Sequence, residues 1–442
     1  MADRRSIGTK DTSEDIELGK LTILRGFYIF LIVSLIIMPQ YFGIHIGIDL
    51  TCTRFAVIFI TLYFLLNGSL LTHFIHTIKR CAVLYPLLIY LAVAFYTMIF
   101  RVDINAFFMV FLEVLTFLYL IYGVRYVIGY RNTWKIIIGC SYFLGFYGLV
   151  EFVYGKSIFH QFLSTVPNNV VNFYRSGHYR IMGPCGHSLG YGLLLLLLVA
   201  AACYDIDTKR VYLFRRPVLF LTLGINIFLT GSRSALAFFV LEVFLLFILT
   251  NWVDKKKTLL FAGIGIAVFM MLLVVIQGTS MGQYILGQIA SIVDQLLGTS
   301  YAANFGIDTQ RLEDSTNYRK ALPYIFTLDW LNPFIGRGNK FYGAEINGVF
   351  IESIDNYYVA QYIKFAYPGL IAFVLYLIIA FIQLAKDAIK GSGLAKVILV
   401  GLVMYFASLW YVDALQTLKF SYLFLAVYCA YYLQNKYKYC SN

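Results

Sequence analysis

Charge is what this sequence has least of. Asp, Glu, Lys and Arg make up 13% of the 442 residues, hydrophobic residues make up 60%, and mean hydropathy is +0.75. That balance excludes a soluble globular domain and requires lipid around most of the chain. Proline is also sparse, with 8 residues, so long apolar runs go unbroken. The 7 cysteines form no CxxC, and no His/Cys group has zinc spacing. Cys52 and Cys185 alone fall in connections expected on the outer side, and sequence does not settle whether they pair. A basic, aromatic-interleaved soluble module is missing too, so the net charge of +12 does not point to nucleic acid. The first 22 residues lack the apolar core and cleavage site of a signal peptide and read as a cytoplasmic tail.

What is present is a series of twelve apolar segments, mostly of the length that crosses about 30 Å of hydrocarbon. The fold expected is all-α: a polytopic membrane protein with about 12 transmembrane helices and one long external loop between helices 9 and 10. Its parts are a tail (1–22), nine helices (23–276) with an external connection at 154–186, a long loop (277–355), and three helices with a C-terminal tail (356–442). Basic residues set the orientation. With the N-terminus inside, the inner segments hold 22 of the 35 Lys and Arg, and each inner loop carries at least two. Both termini are therefore expected in the cytoplasm, and Gln277 to Asp355 outside. That loop carries Tyr318, Tyr324, Trp330, Phe334, Phe341 and Tyr342, too aromatic a set for disorder. Within it, Met281 to Leu297 places Ile285, Leu286, Ile289, Ile292, Val293, Leu296 and Leu297 on one helical face. Such a helix either lies on the outer membrane surface or packs on the bundle. A second short helix is expected after Ser315, carrying Arg319 and ending near Pro323.

Chemistry concentrates where expected helices begin on the outer side. One begins at Thr230-Gly231-Ser232-Arg233-Ser234, another follows Arg180 to Ser188, and a third follows Ser353-Ile354-Asp355-Asn356. Helix N-termini present free N–H groups and partial positive charge, and so attract anions. Arginine adds a planar fork suited to phosphate, which makes Arg180 and Arg233 candidate diphosphate ligands. The plainer reading of each is a side chain snorkelling at the membrane edge. Glu113, Glu151, Glu242 and Lys364 fall within or beside apolar segments and are functional candidates by position or structural ion pairs. Asp205-Ile206-Asp207 has the form of a metal–nucleotide motif but sits in a short inner loop with no domain around it. No DxD occurs in the outer connections.

Four stretches in this order resemble the O-antigen polymerase and ligase superfamily: RIMGPCGHSLG (180–190), LTGSRSAL (229–236), Arg319 with NPFIGRG (332–338), and DNYYVAQYIKFAYPGL (355–370). The resemblance covers about residues 175 to 370. It implies a Wzy-type enzyme of surface-polysaccharide biosynthesis, O-antigen or capsule type, in the bacterial inner membrane. Such an enzyme joins undecaprenyl-diphosphate-linked oligosaccharides, which serve as both donor and acceptor, by inverting transfer without a metal or cofactor. It implies catalytic roles for Arg180, Arg233, Arg319 and Asp355. It implies substrate contacts from Arg175, His187, Ser232, Arg337, Asn356 and Tyr357. Arg175 with Gly186, and Arg337 with Gly348, show an Arg-to-Gly spacing of eleven seen in some polymerases of this type. A chain-length regulator in the bilayer is a possible partner. Ligases of the superfamily carry His-Asn where this chain has Asp355-Asn356, and Gly where it has Ala366, which favours the polymerase branch. The base is then open between Asp355, Glu352 and His187. A lipid-linked oligosaccharide flippase is the alternative from another class; it calls for two similar halves and short loops, and neither is evident.

Overall fold

The computed structural model describes residues 18–39, 41–46, 49–161, 164–166, 174–175, 177–306, 317–346, 348–351 and 353–438. Most of the expected tail, Glu313, Asp314 and Glu352 lie outside them, as does the Arg175 side chain. The helices are α1 Leu18–Ile37, α2 Cys52–Leu66, α3 Gly68–Lys79, α4 Leu84–Arg101, α5 Ile104–Tyr122, α6 Tyr130–Tyr154 and α7 Ser188–Ala202. There follow α8 Pro217–Leu229, α9 Arg233–Leu249, α10 Trp252–Ile276, α11 Ser280–Leu297, α12 Tyr357–Ile389, α13 Gly393–Ser408 and α14 Leu418–Lys438. Short antiparallel hairpins occupy several connections.

Each expected apolar segment contains a helix, and the arrangement is multi-pass and mainly helical. Twelve full crossings are more than helix length supports. Among the described residues, five helices are long and apolar enough to span a bilayer: α4, α5 with its extension to Ile128, α6, α10 and α12. The α2–α3 pair, bent by 113° at Asn67, makes six if it counts as one broken span. The residues 22–37 of α1, and α7, α8 and α13, are apolar but shorter. The reason for one short helix is visible in α7. Its 15 residues rise only about 22 Å, yet nearly all of its side chains are buried by α6, α8, α9 and α13. Its ends meet protein rather than lipid.

The long loop is folded onto the bundle. Leu322, Ile325, Leu331, Ile346 and Ile351 form a small core with Val359, Tyr362 and Ile363 of α12. Residues 317–321 are helical, as the sequence suggested, and a 3-10 turn follows over Leu322–Thr327. α12 breaks at Ala366, which adopts φ 53 and ψ −164. Pro368 has no N–H to give the Lys364 carbonyl, so the helical ladder cannot continue there. The loop makes up the loss: Arg337 N donates to Ile363 O at 2.7 Å and Gly338 N to Lys364 O at 3.0 Å. Tyr367 N turns to Pro333 O at 3.1 Å. The same segment is held to the α4–α5 corner. Arg101 Nε donates to Gly336 O at 2.6 Å, and Asn339 N donates to Asp103 Oδ2 at 2.7 Å.

α11 settles its own orientation in an unusual way. Its Tyr284, Gln288, Ser291 and Asp294 side is buried, while Ile285, Leu286, Ile289, Ile292 and Val293 stay partly exposed and Leu297 is exposed. The polar face packs on protein and the apolar face looks outward, the arrangement suited to a helix lying on a bilayer surface.

Two substitutions test the break. Gly336 has no room for a Cβ, which would overlap the Lys364 carbonyl oxygen. Gly336→Ala should cost about 1–3 kcal/mol, read as a lowered unfolding midpoint in detergent. Ala366 occupies backbone space that favours glycine, so Ala366→Gly should keep or raise that midpoint.

Candidate functional site

The site begins with a buried acid. Glu151, fully buried in α6, accepts from Tyr179 Oη at 2.8 Å, Met182 N at 2.9 Å and Gly183 N at 2.9 Å. Three donors on one carboxylate fix the backbone from 179 to 183, and with it Arg180. Gly183 is required by geometry: it has φ +53, and the Tyr191 ring fills the space a side chain would take. Ile181 N donates to Leu229 O at 3.3 Å, and Arg180 Nε to Thr230 O at 2.7 Å. Arg180 is thus seated on the turn that joins α8 to α9.

That turn needs Gly231 at φ +61. Ser232 then caps α9, accepting from Ala235 N at 3.3 Å, and Arg233 is the first helical residue. Gly192 of α7 lets the α9 cap approach, because a Cβ there would meet Ala235 and lie near Thr230 and Ser232. Tyr284 of α11 closes over this corner, its ring 4.5 Å from that of His178 and its hydroxyl against Gly231. Two expected diphosphate ligands, Arg180 and Arg233, are therefore built onto one turn.

Beside it lies a cavity of about 360 Å³ whose walls include His187, Asn339, Phe341, Asp355, Lys364 and Asp413. His187 caps α7: its Nδ1 accepts from Leu189 N at 3.0 Å, which leaves the ring proton of the neutral form on Nε2. Burial, and then the Arg180 guanidinium, push the imidazole pKa down to about 4. Asp355 faces Arg319, Oδ2 to Nη2 at 3.7 Å, and its Oδ1 accepts from Ser353 Oγ at 3.4 Å. Lys364 comes from the last turn before the α12 break. Asp413 comes from the short connection between α13 and α14. Burial, the largest influence, raises the Asp413 carboxyl pKa, against opposing pulls from Lys364 and the Ala414 N–H.

The structure brings Asp355 and His187 to one cavity and sets Arg319 against Asp355 from outside its lining. It sets Arg180 and Arg233 at the neighbouring turn. Ser232, Arg337, Asn356 and Tyr357 are not among the residues lining that cavity. Asn356 is buried, and its Oδ1 accepts from Tyr358 N and Val359 N as the cap of α12. Tyr357 is buried against Phe373. Arg337 lies over the Trp330 ring at 4.8 Å and donates to Trp330 O at 3.3 Å. The backbone of Arg175 sits in a two-residue strand, Tyr174–Arg175.

Asp413 escaped the sequence reading. It sits alone in the short connection between α13 and α14, and only the fold brings it to the cavity that Asp355 lines. Of the other charges, Lys364 reaches the cavity, and Glu113 lies within electrostatic reach of Lys364, Lys419 and Arg54. The Asp205-Ile206-Asp207 stretch is a turn brace: Asp205 takes Thr208 Oγ1 at 2.8 Å and Arg215 Nε at 3.0 Å. Cys52 and Cys185 are free thiols. Among the described residues, no group of three or more His, Cys, Asp or Glu is arranged to hold a metal ion.

Residues 218–374 match the family described as O-Antigen ligase. The match covers α8 to the broken α12, the part that carries Arg233, Arg319 and Asp355. It is consistent with the O-antigen polymerase and ligase superfamily and supports a membrane enzyme of that type. No curated protein matches the chain.

The Glu151 clamp gives a direct test. In Glu151→Gln one acceptor becomes an amide donor facing backbone N–H groups. The 179–183 segment should loosen at a cost of about 1–3 kcal/mol. Thermal unfolding in detergent, with faster proteolysis near Arg180, is the measurement.

Proposed function

We propose that this protein is a polymerase of surface polysaccharide, joining polyprenyl-diphosphate-linked oligosaccharide units on the outer face of a bacterial plasma membrane. The observation that carries the reading is the grouping itself. Two arginines sit on the α8–α9 turn beside a cavity whose wall holds His187, Asp355, Lys364 and Asp413. Such a grouping suits a displacement at carbon with a diphosphate leaving group. The acceptor hydroxyl oxygen attacks the anomeric carbon on the face opposite the diphosphate. The carbon–oxygen bond to phosphate breaks, and the diphosphate takes its electron pair. Arg180, Arg233 and the N-terminus of α9 offset that growing charge. Arg319 holds Asp355 and reaches the same anion from the loop side. Phe341 in the wall, and the exposed rings of Trp330 and Phe334 nearby, offer flat faces to sugars. The bond energy is carried by the donor lipid, so no nucleotide is needed. Inversion follows from the single displacement. A chain-length regulator would meet the enzyme within the bilayer.

The second reading is an O-antigen ligase, the activity for which the matching family is described. Asp355, where ligases of the superfamily carry His, speaks for the polymerase. Purified protein supplied with an undecaprenyl-diphosphate oligosaccharide decides between them. A ladder of products is expected. Transfer of a single chain to a lipid A core acceptor, with no ladder, would make the protein a ligase.

The arginines should behave alike. Arg180→Ala, Arg233→Ala and Arg319→Ala are each expected to slow ladder formation about 10²–10³-fold at normal membrane levels. Lys should restore only part, because it lacks the planar fork. Activity should persist in excess EDTA; restoration by Mg²⁺ after its loss would assign the charge to a metal instead. Cysteine labelling should find residue 310 outside.

A further inference from the structure

The proposed reaction needs a group to take the acceptor hydroxyl proton, and the obvious groups are engaged. Asp355 faces Arg319 at 3.7 Å and takes a hydrogen bond from Ser353. It also immediately precedes the capping residue of α12, where the partial positive charge of a helix N-terminus lowers basicity. His187 spends Nδ1 on Leu189 N, so its neutral Nε2 carries a proton and cannot take one.

Asp413 is differently placed. Its Oδ1 accepts from Ala414 N at 2.8 Å, and the side chain lines the cavity. It has no arginine against it among the described residues. The groups that face it are Lys364, Asp355, Glu113, Tyr357 and Tyr405. The turn that carries it is costly to build. Leu415 and Gln416 both take left-handed backbone conformations, with φ 47 and 60, and Leu415 also lines the cavity. Thr417 steadies the turn, its Oγ1 2.8 Å from Tyr405 Oη and its N donating to Ala414 O at 2.8 Å. Backbone strain of this kind needs surrounding structure to maintain it.

We infer that Asp413 is the general base of the transfer, accepting the proton of the acceptor sugar hydroxyl as its oxygen attacks the anomeric carbon. This rests on the polymerase reading above. The hydroxyl O–H electrons become the new C–O bond, the old C–O pair leaves with the diphosphate, and the proton passes to Asp413. Lys364 lines the same cavity and acts on the carboxylate through its charge. Asp355 stays with Arg319. Burial favours the protonated form, which makes Asp413 a better proton acceptor than a solvated aspartate.

The sign of the pH dependence follows. The carboxylate form is the active one, so the rate is lost as pH falls through the pKa of Asp413. The acid limb should lie above the ordinary aspartate value of about 3.9.

The experiment uses full-length protein in detergent, an undecaprenyl-diphosphate oligosaccharide, product sizing and pH profiles. Asp413→Asn keeps the acceptor for Ala414 N, so the turn should hold. Its expected result is a loss of about 10²–10³-fold, an absent acid limb and unchanged thermal stabilisation by the donor lipid. Asp413→Ala should regain part of its rate with formate, which a purely structural role would not allow. Asp355→Asn should keep the limb. A rate within threefold of wild type in Asp413→Asn, or a limb that vanishes in Asp355→Asn instead, overturns the assignment and leaves the polymerase standing. Should Asp413→Asn fail to accumulate, a wild-type profile flat down to pH about 4 overturns it as well. A wild-type protein that makes no ladder removes the polymerase reading, and with it this one.

Discussion

The break in α12 is the constraint from which the rest of the site follows. Inside an apolar bundle a carbonyl without a partner costs several kcal/mol. Pro368 takes away one N–H, and Ala366 turns the chain out of the helical ladder. The N–H groups of Arg337 and Gly338 meet the carbonyls this leaves. A loop that must supply those donors cannot wander. It is tied to α12 at one point and to Arg101 and Asp103 at another. Asn339, Phe341 and Asp355 then fall on the wall of one cavity, and Lys364 reaches it from the turn just before the break.

A second buried group does on the α6 side what the break does on the α12 side. Glu151 is fully buried, and three donors close on it. An acid in an apolar segment is a functional candidate by default. Here its work is positional: it holds the chain from Tyr179 to Gly183, so that Arg180 reaches Thr230. The two devices differ in kind. One satisfies carbonyls with backbone donors from a loop, the other satisfies a carboxylate with donors from a turn. Both use the cost of unmet hydrogen bonds in low dielectric to fix a polar connection over an apolar bundle.

The roles of the charges depend on their surroundings more than on their motifs. Asp205-Ile206-Asp207 has the letters of a metal site and braces a hairpin through Thr208 and Arg215. Asn356 stands next to a candidate catalytic residue and is consumed as a helix cap. Asp413 belongs to no motif and faces the cavity. An intact local pattern, such as the TGSR turn with its Gly231 and Ser232 cap, carries its geometry with it. An isolated acid does not.

The sequence by itself determined the class, the helical segments and the local chemistry of the turns. Hydropathy marks the apolar runs because each must be solvated by lipid or by other helices. Ser232 and Asn356 are caps because their short side chains reach the N–H groups just behind them. Periodicity also found α11, but not which side of it would meet protein, since a helix at an interface can bury its polar face. Length and hydropathy did not determine how many helices cross, because α7 is sheathed by neighbours that no local window sees. Only the tertiary structure decided that Glu151 is a clamp, that Arg319 faces Asp355, and that Asp413 shares a cavity with Asp355. Those pairings join positions tens of residues apart, and nothing local encodes which distant donor will satisfy a buried acceptor.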